Sequence, residues 1–147
     1  MRLAAVALFA FAAPAFAQAQ NTSPAGLWQT FDDDTHAPKA LVEIVERAGA
    51  LSGRIVKLFP APGEDVNPHC TRCTDSHRDR PVLGMTILWN FRRDGDVWDG
   101  GEILDPESGD EYRATLRLRD GGKTLDVHGY IGIPLLGRSQ AWTRANP

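Results

Sequence analysis

Apolar and polar residues alternate with a period of two along several stretches of this chain, and short turn-forming clusters separate the stretches. The pattern is plainest in "EYRATLRLR". Tyr112, Ala114, Leu116 and Leu118 fall on one face, and Arg113, Thr115, Arg117 and Arg119 on the other. Such alternation predicts a strand with one face buried. "DGGK" (Asp120–Lys123) turns the chain, after which Leu125, Val127, Gly129 and Ile131 alternate against Thr124, Asp126, His128 and Tyr130. "GLWQTF" (Gly26–Phe31) predicts a first strand. "KALVEIVERAGALSGRIVKL" predicts two more, joined at Ala48-Gly49, and "RSQAWTR" (Arg138–Arg144) the last. "MTILWNF" (Met85–Phe91) is too short for its period to decide between a strand and a helical turn.

Further turns fall at "RDGD" (Arg93–Asp96) and "DPESGD" (Asp105–Asp110), where Asp-Gly and a late Gly supply the positive φ of tight hairpins. About eight strands at this spacing predict an all-β domain. Sequential hairpins favour an eight-stranded up-and-down antiparallel barrel, because closure removes exposed edges. The exception is Pro60–Pro81. It shows no strand pattern, and a loop of that length in a compact domain is usually functional or disordered.

The N-terminus changes the picture of where the chain works. Arg2 is followed by "LAAVALFAFAAPAFA", an apolar run too short for a comfortable membrane span and ending in small residues. Ala15-Phe16-Ala17 predicts cleavage of a signal peptide over residues 1–17, with Ala17-Gln18-Ala19 as a second site. The expected location is therefore the periplasm or the secreted medium, with one domain over residues 23–145. No later segment approaches spanning length, so the sequence predicts no integral membrane protein. Without Arg2 the chain keeps 15 basic against 19 acidic residues, a net charge of −4. That balance argues against nucleic acid and anionic membrane surfaces as main partners.

Both cysteines lie in "HCTRC" (His69–Cys73). A zinc site would use His69, Cys70, Cys73 and His77, but adjacent His69 and Cys70 coordinate one ion awkwardly and no second well-spaced pair follows. A redox dithiol would draw on the positive charge of His69, Arg72, His77, Arg78 and Arg80. Such pairs normally sit at a helix start in a βαβ unit, which is absent from this pattern. In an oxidising compartment the pattern favours a structural Cys70–Cys73 disulfide. Closing so short a loop stabilises by roughly 2 kcal/mol. Because both ends lie in one loop, the bond is expected to shape a local elbow without tying a lid-like loop to the barrel.

Other candidate chemistry is weaker. "DDDTH" (Asp32–His36) has the carboxylates of a cation site but also the composition of a solvated turn. His128 alternates onto the solvent face, and nothing places Glu43 and Glu46 together as an acid–base pair. The basic run Arg72–Arg80 is blunted by Asp75 and Asp79. No nucleophile-elbow, phosphate-loop or dinucleotide motif appears. The reading is not an enzyme, with no catalytic residue and no cofactor.

"GLWQTFDDDTHAPKALVEIVE", "KLFPAPGED", "ILDPESG" and "GYIGIPLLGRSQAWTR" together resemble the bacterial family named domain of unknown function 2147, from Ser23 to Arg144. The resemblance implies an exported single-domain protein with a lipocalin-like barrel and implies no activity. Gly26-Leu27-Trp28 is similar to the G-x-W of a lipocalin first strand, with Arg138 or Arg144 as the residue stacking on Trp28.

An eight-stranded barrel either fills its interior with side chains or holds one small ligand. The first expectation is a small apolar or amphipathic ligand, with Trp28, Trp89, Trp98, Tyr112 and Trp142 as lining candidates and the 60–81 loop over the mouth. The alternative is an envelope structural or interaction protein with a solid barrel. A redox or metal protein using Cys70 and Cys73 ranks third.

Overall fold

The computed structural model describes residues 22–146. The expected signal peptide lies outside them. Eight strands follow in order: β1 (Gly26–Phe31), β2 (Pro38–Arg47), β3 (Ala50–Leu58), β4 (Thr86–Asp94), β5 (Val97–Leu104), β6 (Glu111–Arg119), β7 (Thr124–Tyr130) and β8 (Gly137–Ala145). Each pairs antiparallel with the next, and β8 pairs with β1 through Trp28↔Arg144, closing the barrel. Closure leaves no unpaired edge.

The period-two pattern decides which face turns inward. In β2, Ala40, Val42 and Ile44 are buried while Leu41, Glu43 and Val45 are only partly covered. In β6 and β7, Ala114, Leu116, Leu125 and Val127 enter the same core. "MTILWNF" is a strand from Thr86 onward, β4, whose period is broken by two register shifts against β3. Leu51 pairs with Phe91 and Gly53 with Leu88, so three steps on β4 match two on β3. Asn90 absorbs the extra residue at φ 66°. A bulge of this kind re-aims neighbouring side chains. A second shift, between Gly53↔Leu88 and Arg54↔Thr86, leaves Ile87 and Leu88 both buried, and Trp89, half-buried, turns its indole N–H to Glu102.

The two ends of the barrel differ. At one end lie the short β2–β3, β4–β5 and β6–β7 turns, the start of β1 and the end of β8. Arg144 seals this end. Its guanidinium donates to Gly122 O (2.6 Å), Ala25 O (2.9 Å) and Ser23 O (2.9 Å), and stacks 4.2 Å from the Trp28 ring. The Trp28 Nε1–H donates to Pro24 O at 2.7 Å. Burial lowers the Arg144 pKa from its ordinary value. Packing above this seal is tight. A Cβ on Gly53 would lie 2.9 Å from Leu88, and one on Gly101 would lie 2.4 Å from the Phe91 ring.

At the other end lie the β1–β2 turn, the long β3–β4 connection, the β5–β6 loop and the β7–β8 loop. The β3–β4 connection is not free of pairing. His69 and Pro81 form an antiparallel bridge. Cys70 N donates to Arg80 O and Asp79 N to Cys70 O, both at 2.9 Å. Cys70 and Cys73 are disulfide-bonded and sit within the hydrophobic core, 0 % and 1 % exposed. This corrects the expectation of an elbow that leaves the loop untied: two buried sulfurs anchor it. The far side of the loop is held as well, by His77 stacking on the outward Trp89 with ring centres 6.1 Å apart.

Candidate functional site

A cavity of about 1040 Å³ occupies the half of the barrel beneath the long connections and opens to solvent between them. Its wall is apolar. Ala40, Val42, Ile55, Ile87, Ile103 and Val127 line it from five strands, and Trp142 lies toward its deep end. The solid-barrel expectation therefore fails for this half of the molecule. The physical reason is side-chain size. On β1 the inward residue at the closed end is Trp28, but at the open end it is Thr30. On β2 the series runs Ile44, Val42, Ala40, and on β7 it runs Leu125, Val127, Gly129. In each case only the smaller members border the cavity.

One strand carries polarity into this apolar wall. On the inner face of β8, Trp142 Nε1–H donates to Gln140 Oε1 at 3.2 Å, and Gln140 Nε2 donates to Asp33 Oδ1 at 2.8 Å. Arg138, next toward the mouth, pairs with the other Asp33 oxygen at 2.9 Å. The strip runs from the buried Trp142 out to Asp33 and Arg138, which are exposed at the mouth.

The mouth is ringed by charge. Asp32, Asp33, Asp34, Glu64, Asp65, Asp105 and Glu107 face Lys39, Arg72 and Arg138. Asp32 holds the β1–β2 turn. Its Oδ1 accepts from Thr35 N and Thr35 Oγ1 at 2.8 Å each, and from Asp34 N at 3.2 Å. "DDDTH" is thus a side-chain-capped turn. The two Thr35 donors, with Asp34 N and Lys39, hold the Asp32 pKa below its ordinary value. Lys39 reaches Glu107 at 2.6 Å and Asp32 at 3.8 Å, so one ammonium joins β2 to the β5–β6 loop. Burial alone would lower the Lys39 pKa, but Glu107, Asp32 and Asp105 outweigh it and the net direction is up.

The β5–β6 loop also packs on the disulfide elbow. Gly109, at φ 78°, lies so close that a Cβ there would sit 2.3 Å from Arg72 O. The "DPESG" glycine is therefore required twice, by the turn and by the contact.

Of the expected lining residues, the structure brings Tyr112 and Trp142 to the cavity and not the other three. Trp28 is in the sealed end. Trp98 is buried away from the cavity, with Arg93 stacked 5.4 Å from its ring. Trp89 is outside, donating to Glu102 Oε2 at 2.8 Å. Tyr130, Gln140 and Lys39 border the cavity and were not singled out by the sequence. For Gln140 the available signal was its i−2 spacing from Trp142.

No curated protein matches this sequence. Among solved structures, a protein from the human pathogen Helicobacter pylori, HP1028, described as belonging to the lipocalin family, superposes with a TM-score of 0.72 over 86 % of this chain and 85 % of that one. At 17 % identity this likeness establishes the fold. The family model described as "Uncharacterized protein conserved in bacteria (DUF2147)" matches residues 26–144. This span runs from the first residue of β1 to the Arg144 that seals the barrel, and on it the chain belongs to the DUF2147 family.

Proposed function

We propose that this protein is an exported binding protein that holds one small apolar or amphipathic molecule in the open half of its barrel. The observation that carries the reading is the cavity, about 1040 Å³ with an apolar wall and a charged mouth. Ligand pockets commonly measure about 300–1,000 Å³ and combine apolar walls with a few placed polar groups. The Trp142–Gln140–Asp33 strip supplies such groups along β8, which suits a molecule with a polar edge or end. Export is supported by the apolar leader, and the Cys70–Cys73 disulfide suits an oxidising compartment.

The test is a fluorescence titration with N-phenyl-1-naphthylamine, an apolar probe that brightens out of water. Saturable uptake of one probe per chain is expected, and Ala40→Trp, which places an indole in the cavity, abolishes it. No saturable uptake, or equal uptake by Ala40→Trp, contradicts the reading. Export is tested separately by N-terminal sequencing of protein from the envelope fraction. A start at Gln18 or Gln20 is expected, and a retained Met1 contradicts it.

A further inference from the structure

Four large aliphatic side chains stand exposed in six consecutive residues of the β7–β8 loop: Ile131 (67 %), Ile133 (55 %), Leu135 (88 %) and Leu136 (74 %). Scattered exposed apolar residues are ordinary, but a contiguous group marks an interaction site. This group also has a position: Ile131 and Leu136 border the cavity mouth. From these observations we infer that the open end of the barrel docks on a lipid layer with zwitterionic headgroups, through the Ile131–Leu136 loop. The inference rests on the cavity being a ligand site, because docking there sets the mouth against the source of an amphipathic ligand.

The exposure is built into the loop. His128 Nε2–H donates to Pro134 O at 2.6 Å, and His128 Nδ1 lies 2.7 Å from Ser139 Oγ. Leu136 N closes a tight turn on Ile133 O at 3.1 Å. Gly137 is pressed against Gly129 O and the His128 ring, where a Cβ would come within 2.6 Å of both. Held to the outer wall in this way, the loop does not fold its aliphatic side chains into the cavity.

Two arguments choose the partner. The first is area. At roughly 60–120 Å² for each aliphatic side chain, four cover about 240–480 Å². A stable protein interface needs about 800 Å² per partner. The patch alone falls short of that area, whereas binding at a lipid interface scales with the apolar area inserted and needs no fitted partner surface. The second is charge. Seven acidic and three basic side chains surround the mouth. That excess repels an anionic surface and faces favourably the outermost ammonium groups of zwitterionic lipids.

The experiment is co-sedimentation with sucrose-loaded vesicles of phosphatidylcholine and phosphatidylethanolamine, comparing the protein with its Ile133→Ser/Leu135→Ser variant. Both carry the same N-terminus, so the difference isolates the loop. The expected result is binding by the parent and a loss on the order of tenfold or more in the variant, with weaker parent binding when phosphatidylglycerol is added at low salt. No parent binding, equal binding by the variant, or stronger binding to the anionic vesicles overturns the proposal. So does a dimer in sedimentation velocity that the variant dissolves. If the serine variant melts early, Leu135→Trp replaces it: brominated lipid is expected to quench the added indole, and absence of quenching is equally fatal. N-phenyl-1-naphthylamine uptake in vesicle-free buffer reads the cavity alone. A parent that takes up the probe but does not dock refutes only the docking, and a parent that docks without uptake refutes only the cavity reading.

Discussion

The sealed and open halves of this barrel are built from the same strands, yet one is solid and the other hollow. At the sealed end Trp28, Ile44, Leu51, Phe91, Leu116 and Leu125 interlock, and even glycines are in contact. At the open end Thr30, Ala40, Val42 and Val127 leave space between walls of unchanged spacing. Backbone geometry fixes the diameter of an eight-stranded barrel, so the size of the inward side chains decides whether a given level is filled. Along β2 the alternation and the apolar character of the inward residues do not differ between the halves. Volume does.

The largest test of this contrast is truncation. Trp28→Ala is expected to cost about 3–5 kcal/mol, because it opens a void in packed surroundings and unstacks Arg144. Val127→Ala removes methyl groups that already border open space, and about 1 kcal/mol is expected. Denaturant melts of the two variants measure both. Equal losses would mean that the open half is packed in solution.

The disulfide elbow comes next in size. The sequence placed it in a loop and limited its effect to the roughly 2 kcal/mol of a short closed ring. Burial of both sulfurs in the core adds the cost of desolvating two hydroxyls in Cys70→Ser/Cys73→Ser, which are near enough to hydrogen-bond each other and so together cost about 1–3 kcal/mol. A combined loss of about 3–5 kcal/mol is expected in thermal or chemical melts. A loss under 2 kcal/mol would return the elbow to the surface role read from the sequence.

Enlargement inverts the truncation test at a smaller scale. Ala114→Leu forces extra atoms into the filled region and is expected to cost about 1–3 kcal/mol. Ala40→Leu projects into the cavity, and a change under about 1 kcal/mol is expected. Comparable destabilisation at both positions would remove the distinction between the halves.

What the sequence reveals and conceals follows from the range of the interactions. The bounds of β1 and the alternation of β6 and of β7 as far as Val127 are local properties of the chain and were legible directly. So was the size series Ala40, Val42, Ile44, although it acquires meaning only once closure assigns each residue a level. At the end of β7, however, Tyr130 is buried and Ile131 exposed, the reverse of the alternation. The β4 bulges were hidden because, beside a shift near Thr86, one inserted residue at Asn90 cancels the period that identifies a strand. The same insertion sends Trp89 outward, where composition suggested a lining residue. The burial of Cys70 and Cys73 and the Lys39–Glu107 pair depend on loops meeting across the mouth, and no spacing in the chain encodes such meetings. The Gly109 contact was half legible: the turn demanded glycine, but the approach of Arg72 O did not show.

The smallest effects concern the charged mouth. Lys39 is raised above its ordinary pKa of 10.5 by its carboxylate partners, so its contribution is complete below that value and is lost as pH rises through the folded-state pKa. Asp32 is held below 3.8, so its contribution is present above that value and is lost as pH falls through the folded-state pKa. Between these limits the mouth stays tied. Because Lys39 is partly exposed, Lys39→Met is expected to cost no more than about 1 kcal/mol. A flat pH profile of the difference between parent and variant across the neutral range is expected, and a midpoint near neutrality would show that another group holds the loop.

The four tryptophans test the central claim, a hollow half above a solid one, in one measurement. Only Trp142 borders the cavity; Trp28 and Trp98 are packed away from it, and Trp89 is outside. Titrating N-phenyl-1-naphthylamine into ¹⁵N-labelled protein and following the indole N–H resonances reads all four together. The Trp142 resonance, hydrogen-bonded to Gln140, is expected to shift saturably, while those of Trp28, Trp98 and Trp89 stay in place. A still Trp142 at saturating probe, or a larger shift at Trp28 or Trp98, would contradict the account.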